Sequence, residues 1–189
     1  MASVAEFPVD GATGPEIKQW AQRSIAAAGA LGELPVWTLP ESGNATPASL
    51  RLRRAALLFL LALPGTVRVD AAAERALQGS AVPHPFDVDE VLRRSSTWHS
   101  FFGGGRDAHP GQDVYWQDYY ELRGSTDVLV FSGSRRGWGA MIIANFATES
   151  CRVTDGMICV ASDNPYGERD LTSDNDFLPA VTTIWLAAK

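Results

Sequence analysis

The segment from Val36 to Val69 constrains the fold more than any other part of this chain. Val36-Trp37-Thr38-Leu39 is a short apolar run with proline on either side, which reads as a strand limited at both ends. Thr46-Pro47 then supplies a side-chain oxygen cap followed by proline at a permitted first helical position. The helix so begun runs to Leu63 and is halted by Pro64-Gly65. Thr66 to Val69 is a second strand. Strand, helix and strand of this length form a βαβ unit, because a crossover helix returns the chain to the same end of the sheet, so that the strands run parallel. The second half of the helix is apolar nearly all round, so it must be covered on more than one side.

Upstream, Pro15 to Ala30 reads as a helix, with Ile17, Trp20, Ala21, Ser24, Ile25 and Ala28 on one face and Gly29 or Gly32 as its stop. Downstream, Asp87 to Phe101 reads as another. It opens on Asp87-Val88-Asp89-Glu90, acids that suit the positive end of a helix dipole. Gly103-Gly104-Gly105 marks a shift in composition. Alanine, leucine and arginine dominate before it; valine, isoleucine, aromatic residues, glycine and aspartate dominate after it. These glycines read as a linker and divide the chain into an α/β region, residues 1–105, and an all-β region, residues 106–189.

In the second region Asp113 to Leu122, Val128 to Ser132, Trp138 to Phe146, Cys151 to Val160 and Val181 to Leu186 are strand candidates. Ser132 to Gly137 forms a hairpin loop between two of them, and Ser162 to Gly167 a longer loop. Short strands at this density predict a small antiparallel sandwich.

A chain of 189 residues with 46% hydrophobic and 20% charged residues suits an ordered globular protein. A net charge of −6 disfavours nucleic acid and anionic membrane as partners. The basic clusters Arg51-Leu52-Arg53-Arg54 and Arg135-Arg136 read as a solvated helix turn and a hairpin tip. The N-terminal residues show no basic-then-apolar signal pattern, and the apolar run from Ala55 to Leu63 is too short for a membrane span. Cys151 and Cys159 form no framework, so reduced thiols and a cytoplasmic location are expected.

The order of elements resembles the C-terminal part of glycoside hydrolase family 13, in particular bacterial α-glucosidases and related α-amylase-family enzymes. The residues that carry the resemblance are "EIKQWAQRSIAAAGALGELP" leading into "VWTL", then "RLRRAALLFLLALPGTVRV", then "DVLVFSGSRRGWGAMIIANFATE" and the closing "LPAVTTIWLAAK". The resemblance implies an α+β chain. Its first part would be a remnant of a (β/α)8 barrel, the last two βα units with parallel strands, and a small antiparallel β-sandwich would follow.

The family's nucleophile and acid/base carboxylates belong to barrel strands four and five, the arrangement of retaining glycosidases. By the resemblance this sequence begins just before strand seven, so it holds no counterpart of either. The family's Asn-His-Asp turn after strand seven aligns with Glu41, Ser42 and Gly43, and glycine has no group to hold a sugar hydroxyl. The tyrosine-glycine-acid turn expected after strand eight is replaced by Asp70-Ala71-Ala72-Ala73-Glu74.

Glu41, Asp70 and Glu74 are the remaining carboxylate candidates, since all three would lie near the C-terminal ends of the parallel strands. The plainer reading makes them exposed loop acids, and no catalytic residue is assigned. The histidines His84, His99 and His109 lack ligand spacing with each other or with the cysteines, so neither a metal nor any other cofactor is expected. Ser42 lies outside a nucleophile-elbow context. Tyr115, Trp116, Tyr119 and Trp138, with Tyr120 and Trp185, form an aromatic excess. It suits a sugar-stacking surface or, by strand alternation, the core or an interface.

The expectation is therefore a non-catalytic α-glucosidase-like protein, a pseudoenzyme or assembly subunit acting through protein association. The partner would be a second copy of the chain, or another protein covering the open barrel piece. Two alternatives stand beside it: an α-glucan-binding module built on the aromatic residues, and a glycosidase subunit completed by a partner chain.

Overall fold

The computed structural model describes residues 3–8, 11–40, 46–78, 86–93, 115–117, 127–135, 138–153, 156–163, 170–171 and 177–187. The chain is an α+β protein, with a parallel sheet first and an antiparallel sheet after it.

The parallel sheet has three strands, not the two that the βαβ unit alone predicts: β1 (Val4–Glu6), β2 (Val36–Thr38) and β3 (Thr66–Arg68), in that order. β1 is three residues long, too short for an alternation signal, and only its pairing with β2 makes it a strand. Helix α1 (Gly14–Ala30) joins β1 to β2, and helix α2 (Pro47–Leu61) joins β2 to β3. Both helices start as their sequences dictate. Thr13 and Glu16 form a capping box on α1, and Thr46 and Ser49 form one on α2, each with proline in the first turn.

The residues after β3, whose Asp70 and Glu74 read as exposed loop acids, form helix α3 (Ala71–Leu77), with Asp70 as its N-cap and Glu74 half-buried within it. Asp70 Oδ1 accepts from the backbone N–H groups of Ala72 and Ala73 at 2.9 and 2.8 Å, which satisfies two donors that the helix itself cannot. Residues 88–93 are helical, capped by Asp87, whose Oδ1 accepts from Glu90 N at 3.1 Å. The remainder of the Asp87 to Phe101 helix, and the Gly103 to Gly105 linker, lie outside the described residues.

The all-β region holds more strands than the sequence suggested. A six-stranded antiparallel sheet runs in the order β4 (Tyr115–Gln117), β5 (Val128–Arg135), β6 (Trp138–Asn145), β11 (Thr182–Ala187), β8 (Gly156–Ala161) and β9 (Asp170–Leu171). A two-stranded ladder pairs β7 (Cys151–Arg152) with β10 (Phe177–Leu178). Cys151 to Val160, expected as one strand, is thus two strands belonging to different sheets. Ser132 to Arg135, expected in a hairpin loop, continues β5, and Arg135 pairs directly with Trp138. Strand pairing extends a hairpin wherever partners are in register, regardless of the glycine and serine content that suggests a loop.

Alternation along these strands makes two cores. Leu129, Phe131, Ile142, Ala144, Val160 and Trp185 face α1 and α2, in one cluster with Phe7, Ile17, Trp37 and Phe59. Val130, Ile143, Ile158, Ile184 and Leu186 face the other way, against Cys151, Val153 and Leu178 of the ladder region. The Phe59 ring lies edge-on to Phe7, Phe131 and Phe146 at 6.1, 5.7 and 5.5 Å, so a single α2 side chain meets rings from both regions. Full burial of a ring this size stabilises by about 1.5–3 kcal/mol.

This packing answers what covers α2. Leu57, Leu58, Phe59 and Leu60 are all buried, and the helix lies against β3 on one side and β6 and β11 on the other. The chain's own antiparallel sheet supplies the second cover, so the apolar girth of α2 does not by itself call for an outside partner.

Candidate functional site

The end of the parallel sheet where Thr38 and Arg68 lie is the place to look for chemistry, because connections at the C-terminal ends of parallel strands project groups into a shared space. Two of the three carboxylate candidates can be placed there. Asp70 is exposed and committed to capping α3. Glu74 lies one turn further along α3, half-buried, and its backbone N–H donates to Asp70 O at 2.9 Å. Glu41, Ser42 and Gly43 lie outside the described residues. Among the described residues, no cluster of histidine, cysteine, aspartate or glutamate could hold a metal ion.

The open face of the sheet is better defined. Ala5, Trp37 and Val67 form one cross-strand row and belong to the helix-side core. The rows on either side of it, Val4-Val36-Thr66 and Glu6-Thr38-Arg68, point away from the helices. They are exposed at both outer strands and half-buried on β2. Parallel sheets are ordinarily covered on both faces. Among the described residues, nothing covers this open face and no strand pairs with the outer edge of β1 or of β3.

The aromatic candidates divide between the described residues and the rest. Trp116 is half-buried and packed on Phe131 at 4.9 Å and Phe59 at 6.4 Å, with Lys18 Nζ 5.7 Å from its ring centroid. It is thus stacked between β5, α1 and α2. Trp185 is buried. Tyr115 and Trp138 occupy strand positions opposite Ser132 and Arg135; their side chains, and Tyr119 as a whole, lie outside the described residues.

The arginine cluster departs from its expected solvated state. Arg51 is exposed and lies 3.7 Å from Asp163, but Arg53 and Arg54 are buried, Arg54 to 1% exposure. Arg54 Nε donates to Leu77 O at 2.9 Å, and its guanidinium lies 4.8 Å from the Phe86 ring centroid. Burial lowers its pKa, with Asp163 acting in the opposite direction. Arg54 therefore fastens the C-terminal carbonyl of α3 to α2, a role that a run of basic residues on a helix does not announce. No helix among the described residues is long and apolar enough to cross a membrane.

A parallel sheet backed by helices and followed by an antiparallel sheet is an arrangement shared with solved enzymes of the amylase family. The debranching enzyme of Nostoc punctiforme superposes with a TM-score of 0.57 at 15% identity, over 96% of this chain and 41% of that one. Its native form gives 0.54 at 16% identity, with the same coverage. CldA, a cyclomaltodextrin glucanotransferase with a three-domain ABC distribution, gives 0.54 at 10% identity over 94% of this chain and 41% of that one. Identities this low establish a common fold, and the chain spans about two fifths of the length of these enzymes, 41% in each of the cases given. No protein-family model matches the chain, and no curated protein sequence matches it.

Proposed function

We propose that the parallel sheet is a remnant of a (β/α)8 barrel, and that the protein is a non-catalytic relative of the amylase-family enzymes that works through protein association in a carbohydrate-related setting. One observation carries this reading: among the described residues, nothing covers one face of the β1-β2-β3 sheet and no strand pairs with its outer edges, where a closed barrel would have further strands. The exposed rows would be the barrel's interior. With α2 covered by the chain's own sheet, that open face and its edges are the surface this reading assigns to a partner.

Asp70 supports the non-catalytic half of the proposal. A carboxylate that accepts from two backbone N–H groups is held in place as a helix cap. The test is an assay with a chromogenic α-glucoside and with linear α-glucans, on the purified chain and on Glu41→Gln, Asp70→Asn and Glu74→Gln. No turnover is expected from any of them. Turnover in the unaltered chain that disappears in one of these variants overturns the reading, because a retaining or inverting glycosidase depends on such a pair of carboxylates.

A further inference from the structure

The two outer edges of the parallel sheet match each other. Its three cross-strand rows are Val4-Val36-Thr66, Ala5-Trp37-Val67 and Glu6-Thr38-Arg68. The β1 edge therefore presents valine, alanine and glutamate, and the β3 edge presents threonine, valine and arginine, in the same order along parallel strands. Glu6 and Arg68 are both exposed, on the open face, and neither side chain makes a hydrogen bond or ion pair among the described residues. Val4, on the same face, is 58% exposed.

From this complementarity we infer that the outer edge of β3 in one copy of the chain receives the outer edge of β1 in a second copy, extending the parallel sheet head to tail. The inference rests on the association reading above and names its partner. In-register parallel addition sets Thr66 beside Val4 of the second copy, Val67 beside its Ala5 and Arg68 beside its Glu6, at the strand spacing of about 4.8 Å. The β-branched pair falls on the open face, the apolar pair falls on the helix side, and opposite charges become neighbours.

Other pairings between copies lack this match. Antiparallel pairing of β1 with its own copy sets Val4 against Glu6, and β3 with its own copy sets Thr66 against Arg68. Edges guarded against association carry charges that repel any copy of themselves; opposite charges at the same row do the reverse. The contact uses two different surfaces, so copies add in a ring if the rotation closes and in an open row if it does not. With three residues on each edge, the association is weak and concentration-dependent.

The experiment is light scattering after size exclusion, over a wide range of loading concentrations, on the unaltered chain, Glu6→Arg, Arg68→Glu and the double variant, with circular dichroism to establish the fold of each. The mean mass of the unaltered chain is expected to rise with concentration, and to rise less at high salt. Each single variant sets like charges together and should associate at least roughly tenfold more weakly. The double variant should recover. So should an equimolar mixture of the two single variants, in which every contact alternates in sign. An unaltered chain that stays monomeric at every concentration overturns the second copy as partner and leaves association with a different protein standing. Association that ignores both the charge changes and salt overturns the edge contact while keeping the association reading.

Discussion

The indole Nε1 of Trp185, in the last strand of the chain, donates to the backbone carbonyl of Leu58 in helix α2 at 3.1 Å, within the buried core. Leu58 is in the last turn of α2, where the chain tightens and Ala62 N donates to Phe59 O at 3.2 Å, so the Leu58 carbonyl takes its donor from outside the helix. Trp37 Nε1 donates to Pro64 O at 2.9 Å, in the turn that follows the helix. Two tryptophans from two different sheets thus hold the last turn of the central helix, which has no basic side chain, and the turn after it. This relationship joins the α/β and all-β regions more specifically than apolar packing does.

Trp185→Phe keeps a ring but removes the donor and leaves the Leu58 carbonyl buried without it. A loss of about 1–3 kcal/mol is expected in urea unfolding. The transition should remain single, because the tryptophan serves both regions; a loss confined to one of two separate transitions contradicts that role.

Gly65 tolerates no side chain. Its φ is +132°, and a Cβ there would lie 2.5 Å from Pro35 O and 2.6 Å from Trp37 Nε1. Gly65→Ala should cost about 3 kcal/mol or more, and its urea midpoint should fall below that of Trp185→Phe.

Asn145 ties the end of β6 to the ladder. Its Nδ2 lies 2.8, 3.2 and 3.0 Å from the carbonyls of Glu149, Leu178 and Pro179, and its Oδ1 accepts from Ala147 N at 3.0 Å. Asn145 is fully buried. Asn145→Ala should lower stability by about 2–4 kcal/mol, since several buried groups lose their partner at once. Asn145→Asp, which replaces the donor with an acceptor, should do no better.

Asp70→Asn and Asp70→Ala separate a cap from an acid catalyst. Asparagine caps almost as well as aspartate, so Asp70→Asn should unfold close to the unaltered chain, whereas Asp70→Ala should lose about 0.5–2 kcal/mol. Equal losses in both variants would show that charge, not capping, is what Asp70 contributes.

Burial raises the Cys151 thiol to about 11. In a Cys159→Ser background Cys151 should react slowly with a thiol-disulfide reagent at pH 7.5, and only by unfolding. Because the folded pKa lies above the unfolded one, the unfolded thiol ionises first as pH rises. Cys151 therefore contributes stability that is present below about pH 9 and lost progressively toward pH 11. Cys151→Ala should flatten that part of the stability profile, read from urea midpoints at pH 8, 9 and 10.

Local chemistry made several elements legible in the chain alone. Thr46-Pro47 and Pro64-Gly65 bracket α2, Pro15 opens α1, and the apolar runs around Val36, Val128, Met141 and Thr182 are strands. Each of these signals sits within a few residues, in a cap, a proline or a run of side chains that can be buried together. The parallel relation of β2 and β3 also follows, since a long crossover helix leaves little else.

Tertiary structure decided what no local signal could carry. β1, β9 and β10 are two or three residues long and exist only through their partners. Arg54 looks like a surface residue until α3 and Phe86 close over it. Asp70 becomes a cap only once Ala71–Leu77 is helical, and Trp116 turns to the core because Phe131 and Phe59 lie behind it. The cover over α2 comes from a strand more than a hundred residues away, Trp185 to Leu58 spanning 127 positions. Burial and long-range pairing depend on which surfaces meet, and that information is spread across the chain where no window of sequence contains it.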